Sequence, residues 1–88
     1  MIWIDLKEAI RADLLGRGLK QPRLRISALD RLEEFLVQIF PEFLVSPALL
    51  LSIGRDDVSA KLARLKDNGR LNGAERSVLG DIFRRLDE

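Results

Sequence analysis

Residues 46–71 read "SPALLLSIGRDDVSAKLARLKDNGRL", and the reading of this stretch decides the fold. Ser46 followed by Pro47 is an N-cap and first-turn pair, which opens a short helix running to about Ile53. Gly54 supplies a tight turn, Asp56 or Asp57 caps a second helix, and Asn68 with Gly69 ends it through the left-handed conformation that glycine tolerates. On that second helix Val58, Leu62 and Leu65 share one face and are expected to pack against Ala48 and Leu51 of the first. The opposite face, Asp56, Ala60, Ala63, Arg64 and Asp67 with Lys61 on its flank, then points outward.

The flanking sequence extends the same helical period. Asp5 and Glu8 have the spacing of a capping box for a helix to about Leu15, with Leu6, Ala9, Ile10 and Leu14 on one face and Gly16 or Gly18 ending it. Trp3, just ahead, is expected to cap the core. Ser27 and Asp30 have the spacing of a second box. Leu29, Leu32, Phe35, Leu36, Ile39 and Phe40 then recur at helical period until Pro41. Asn72 with Glu75 opens a last helix carrying Val78, Leu79, Ile82, Phe83 and Leu86. No segment reads as a strand. The expectation is one all-α domain over residues 1–88, a compact bundle of about five short helices that contains a helix-turn-helix-like unit.

Composition narrows the chemistry. A chain of 88 residues buries only about 60 to 65% of its unfolded surface, which places function on the outside rather than in an internal cavity. The apolar content of 47% and charged content of 33% are those of a folded domain. There is no cysteine and no histidine, so disulfides, zinc-thiolate sites and the commonest acid-base side chain are all missing. The acidic pairs Asp56, Asp57 and Glu33, Glu34 are adjacent in sequence and point apart on a helix. Gly69 and Glu75 end like a calcium loop, but Arg64 and Lys66 occupy positions that must supply oxygen. The sequence is therefore read as a non-enzyme with no cofactor and no metal.

Residues 35–54 contain one charge, Glu42, but Pro41 and Pro47 break that run as a membrane span. The N-terminal "MIWIDLKEAI" has no cationic region ahead of an apolar stretch. A cytoplasmic protein with no membrane partner is the expectation. The net charge of +1 is unevenly spread: residues 14–29 hold no acid while carrying Arg17, Lys20, Arg23 and Arg25 beside two glycines and a proline, the pattern of a basic loop. Residues 58–66 are also acid-free and carry Lys61, Arg64 and Lys66. Such patches attract phosphate, or else act as solvated faces.

The segment 46–71 resembles the helix-turn-helix of winged-helix bacterial repressors of the arsenic-repressor and multiple-antibiotic-resistance-regulator type. The resemblance rests on Ala48 as the small residue and Leu51 as the core residue of the first helix, Ser52 where glycine is usual, and Ile53 in the turn. It continues through Val58 and Ser59 opening the second helix and Leu62, Leu65, Gly69 and Leu71 at the usual intervals. It implies a small DNA-binding regulator whose second helix meets duplex DNA through Ser59, Ala60, Lys61 and Arg64, with Arg55, Arg17, Lys20, Arg23 and Arg25 as further contacts. A monomer this small reads few base pairs, so a homodimer is expected, and the last helix supplies its interface through Leu79, Ile82, Phe83 and Leu86. Such families follow the second helix with a two-stranded wing, whereas "NGAERSVLGDIFRRL" at residues 72–86 reads as helix, a departure from the family pattern.

A second reading stays open beside this one. A bundle of five or six short helices is also the size of death-fold and bacterial effector-associated adaptor domains, and "LEEFLVQIFPEFL" at residues 32–44 resembles the latter. A phage-type inhibitor or antitoxin has the same size. On this reading the partner is another protein, met by charge complementarity between the Arg17 to Arg25 segment on one side and acids such as Glu33, Glu34 or Asp81 on another.

Overall fold

The computed structural model describes residues 2–88, and among these every regular element is helical. The order is α1 (Trp3–Gly16), α2 (Pro22–Ile39), a 3-10 turn (Pro41–Leu44), α3 (Leu49–Ile53), α4 (Arg55–Ala63) and α5 (Gly73–Leu86). The chain is an all-α bundle 18 Å thick across its shortest axis, about two helices packed at 8 to 10 Å.

Central to the bundle is α2, which touches α1, α4, α5 and the 3-10 turn. Its buried stripe is Ala28, Leu29, Leu32 and Leu36, the i, i+3/4, i+7 set that lines one helix face. Phe35, Ile39 and Phe40 lie half-buried at the edge of that stripe. Leu6, Ile10 and Leu14 from α1, Val58 and Leu62 from α4, and Val78, Leu79 and Ile82 from α5 complete the core. Trp3 and Phe43 meet at 4.9 Å between ring centroids, within the range of favourable tilted aromatic pairs. The 3-10 turn that presents Phe43 has no counterpart in the helical periodicity of the sequence.

Helix starts differ from expectation in four places. α1 begins at Trp3 with Ile2 as its N-cap and no side-chain cap, so Asp5 and Glu8 form no box; Asp5 lies in the first turn, where the helix dipole favours an acid. α2 begins at Pro22, five residues ahead of Ser27, because proline is pre-set for the first helical position. Arg23 and Arg25 are thus helical rather than part of a loop. The N-cap, Gln21, adopts φ 54°, ψ 55°, a left-handed conformation that costs a non-glycine residue about 1 to 2 kcal/mol. Ser46 makes no cap, and residues 46–48 form a turn before α3. α4 is capped by Gly54 rather than by Asp56 or Asp57, both of which sit in its first turn.

Two core assignments in the decisive stretch also change. The buried residue of α3 is Leu50, with Pro47 buried ahead of it, whereas Ala48 and Leu51 are exposed. A five-residue helix spans under two turns, so its phase is set by its neighbours rather than by its own periodicity. Leu65 is exposed because α4 ends at Ala63 and the chain leaves the helix in successive turns, Leu65 N to Leu62 O and Lys66 N to Ala63 O. Gly69, at φ 70°, closes a further turn by donating its N–H to Lys66 O at 3.0 Å, rather than ending the helix itself. The start of α5 matches expectation: Asn72 Oδ1 accepts from Glu75 N at 2.8 Å, and Asn72 N donates to Glu75 Oε1 at 2.9 Å.

Candidate interaction surfaces

Helix α5 carries two buried carboxylates, and both draw in cations from distant parts of the chain. Glu75 is fully buried, and its Oε2 accepts from Arg31 Nε at 3.1 Å and from Lys66 Nζ at 2.9 Å. Burial pushes the Glu75 carboxyl up; the hydrogen bonds from Asn72 N, Lys66 and Arg31 outweigh that and hold it below its ordinary value of 4.5. Two turns on, Asp81 Oδ2 accepts from Arg17 Nη2 at 3.0 Å, and its Oδ1 pairs with Arg84 Nη2 at 3.0 Å. Arg17 also bridges Asp13 at 3.0 Å. Between the two carboxylates, Arg25 Nη1 donates to Ser77 Oγ at 3.1 Å.

These pairs redistribute the expected site residues. Arg17 and Asp81, assigned from sequence to opposite docking patches, bind each other inside the chain. Arg25 is likewise tied to α5, while Lys20 and Arg23 are exposed. Arg55 lays its guanidinium over Gly80, where an added Cβ would lie 3.1 Å from Nη2. On α4, Ala60, Lys61 and Arg64 are exposed and Ser59 is half-buried. Ser59, Ala60 and Ala63 line a shallow depression of about 250 Å³ together with Gly69, Leu71, Arg70 and Arg76. The two arginines at its rim were absent from the sequence-derived set; their signal is only proximity, since both sit in the α4–α5 connection or just beyond it. Among the described residues Asp57 and Lys61 form no ion pair.

The four apolar residues expected at a dimer interface are used within the chain. Leu79 and Ile82 are buried, Phe83 is nearly so, and Leu86 packs against the same core. The apolar set of α5 spans a wide arc because α1, α2, α3 and α4 all pack on it; the width reflects its central place in the bundle.

A second surface forms around Trp3 and Phe43. Trp3 Nε1 donates to Glu33, whose other oxygen accepts from Lys7 Nζ at 3.0 Å. Lys7 also bridges Asp30 at 3.1 Å. Burial lowers the Lys7 ammonium, but its bonds to Glu33 and Asp30 prevail and raise it above 10.5. The residues flanking this aromatic pair are apolar and face water: Ile2 and Ile4 beside Trp3, Leu44 and Val45 beside Phe43, and Val37 one helical turn after Glu33. Val45 is 69% exposed and Ile4 60%. These are five of the nine exposed large apolar residues, Ile2, Ile4, Leu15, Leu24, Val37, Leu44, Val45, Leu51 and Leu65.

Charge around this corner is mostly acidic. Residues 32–54 contain no lysine or arginine. Asp5, Glu8, Glu34 and Glu42 are exposed and, among the described residues, none of them bridges a cation. On α1, Lys7 is already held by Asp30 and Glu33, and Arg11 is exposed one turn beyond Glu8.

Among the described residues no helix is long and apolar enough to cross a membrane, and no group of three or more acidic residues is placed to hold a metal. No protein family, curated protein or solved structure matches the chain.

Proposed function

We propose that the domain is a helical protein-interaction module. The observation that carries this reading is the exposure of Ile2, Ile4, Val37, Leu44 and Val45 on or beside three elements that pack together at one buried aromatic pair. Contiguous exposed apolar patches on a small soluble domain mark surfaces used for association. In a chain this size the apolar residues would otherwise help fill the core, which is complete without them.

Three features favour this over a DNA-reading regulator. The α3 and α4 helices are joined through Gly54 alone, whereas a DNA-binding helix-turn-helix uses a turn of three or four residues to set its second helix into the groove. Asp56 and Asp57 open α4, at the end of a recognition helix that meets bases and phosphates. Arg17 and Arg25, two of the expected phosphate contacts, are engaged with α5.

Duplex DNA titrated at two salt concentrations tests the reading directly. The interaction module gives no binding at either. Binding whose log K falls with log salt, by a slope that drops about 0.9 on Arg64→Ala or Lys61→Ala, would overturn it in favour of the regulator.

A further inference from the structure

We propose that the acid-ringed apolar corner docks a basic amphipathic helix of a partner protein. The inference rests on the interaction-module reading and adds the chemistry of the partner.

The apolar part of the surface calls for an apolar stripe on the occupant. Ile4, Val37, Leu44 and Val45 come from α1, α2 and the end of the 3-10 turn, so they present a patch on three elements rather than a single ridge. The aromatic pair beside them is held in place: Trp3 is buried, packed at a tilt against Phe43 and hydrogen-bonded to Glu33. A patch beside a held pair can receive side chains without first ordering itself, which limits the entropy lost on binding.

The ring of charge sets the sign of the partner. Asp5 follows Ile4, Glu8 lies one turn further along α1, Glu34 precedes Val37 by three residues on α2, and Glu42 stands one residue ahead of Phe43. All four are exposed; no lysine or arginine lies in residues 32–54 beside Glu34 and Glu42, and the single exposed arginine on α1, Arg11, is outnumbered by the acids. Acidic residues around an apolar patch select lysine and arginine on the rim of the occupant and repel an acidic one. The occupant is helical because, among the described residues, there is no strand edge to extend. Seating an apolar helix face on the patch is the mode that places one apolar stripe on it while basic side chains on the flanks reach the acids.

The experiment uses the full chain and a synthetic amphipathic peptide about 18 residues long, five turns of helix with leucine on one face and lysine on the other. Its twin carries glutamate in place of lysine. Backbone amide shifts followed by NMR should move at Ile4, Val37, Leu44 and Val45 with the lysine peptide and stay still with the glutamate peptide. Val45→Glu should weaken binding about tenfold or more, the scale of losing one well-buried anchor. Its exposure lets the fold persist, which a thermal melt verifies.

The double change Glu34→Lys with Glu42→Lys should reverse the preference toward the glutamate peptide. Asp67→Lys, in the connection between α4 and α5, alters net charge by the same kind of step and should leave both affinities unchanged. Equal binding of the two peptides, or shifts centred on Arg70 and Arg76, would overturn the proposal. So would a wild-type chain found dimeric by light scattering and made monomeric by Val45→Glu, which puts a second copy on the patch. Failure of the lysine peptide with no DNA binding removes this inference alone; salt-dependent DNA binding removes the module reading beneath it.

Discussion

The wall between α2 and α5 and the corner around Trp3 and Phe43 treat charge in opposite ways. Along the wall, Glu75 and Asp81 are buried and every oxygen that faces inward has a cation or a backbone N–H on it. At the corner, four acids stand in water beside apolar side chains, with no cation on them among the described residues. Buried charge must be matched or it destabilises the fold by several kcal/mol. Exposed charge left unmatched costs little and remains free to act on a partner. The difference separates the part of the molecule that holds the fold from the part available for recognition.

The largest effect that would break this division is expected in the core shared by both regions. Leu36→Ala on α2, or Leu62→Ala on α4, should lower the unfolding free energy by about 2 to 5 kcal/mol in urea titrations. Val45→Ala at the exposed corner should stay within about 0.5 kcal/mol. Similar losses at Leu36 and Val45 would mean that the corner is structural after all.

Next in size is the buried carboxylate. Glu75→Ala should cost about 3 kcal/mol, the low end for breaking a buried pair, since Arg31 and Lys66 both keep some contact with water. Acid gives a cleaner measurement. The Glu75 carboxyl lies below 4.5 in the folded chain, so the unfolded chain binds its proton first. The stabilisation is complete above pH 4.5 and disappears as pH falls through the lower folded value. Unfolding curves of Glu75→Gln should show a flatter acid limb than wild type.

Backbone geometry supplies two smaller tests. Gly54 joins α3 to α4 at φ 97°, ψ 145°, a region that side chains occupy at a cost of about 1 to 3 kcal/mol. Gly54→Ala should destabilise by that amount in thermal or urea unfolding, although nothing crowds its Cβ. Gly80 is the converse. It lies within α5, and its added methyl would meet only the end of the exposed Arg55 side chain. Gly80→Ala should therefore raise stability by up to about 0.5 to 1 kcal/mol, the helix-propensity gain, because the guanidinium can move aside.

Much of the helical content was legible in the sequence because it depends on near neighbours. The stripes Leu29, Leu32, Leu36 and Val78, Leu79, Ile82 follow from spacing, and Asn72 with Glu75 forms the box that its spacing implies. The start of α2 was legible too in principle, from Pro22, but Ser27 and Asp30 offered a competing signal and the proline was assigned to a loop. The choice of Leu50 over Leu51 was not legible, since five residues cannot define a helical phase.

Local propensity and periodicity thus determined, from the sequence by itself, that this is a bundle of five helices whose longest apolar stripes lie on α1, α2 and α5. Only the tertiary structure decided what the charges do. Arg17 and Asp81 are 64 positions apart, and Trp3 and Glu33 are 30 apart. Pairing across such separations depends on how helices cross, which no local pattern encodes. The same packing covered the apolar arc of α5 and left Ile4, Leu44 and Val45 in water. A side chain's exposure depends on what the rest of the chain places over it, and here that decides which residues hold the fold and which are free to bind.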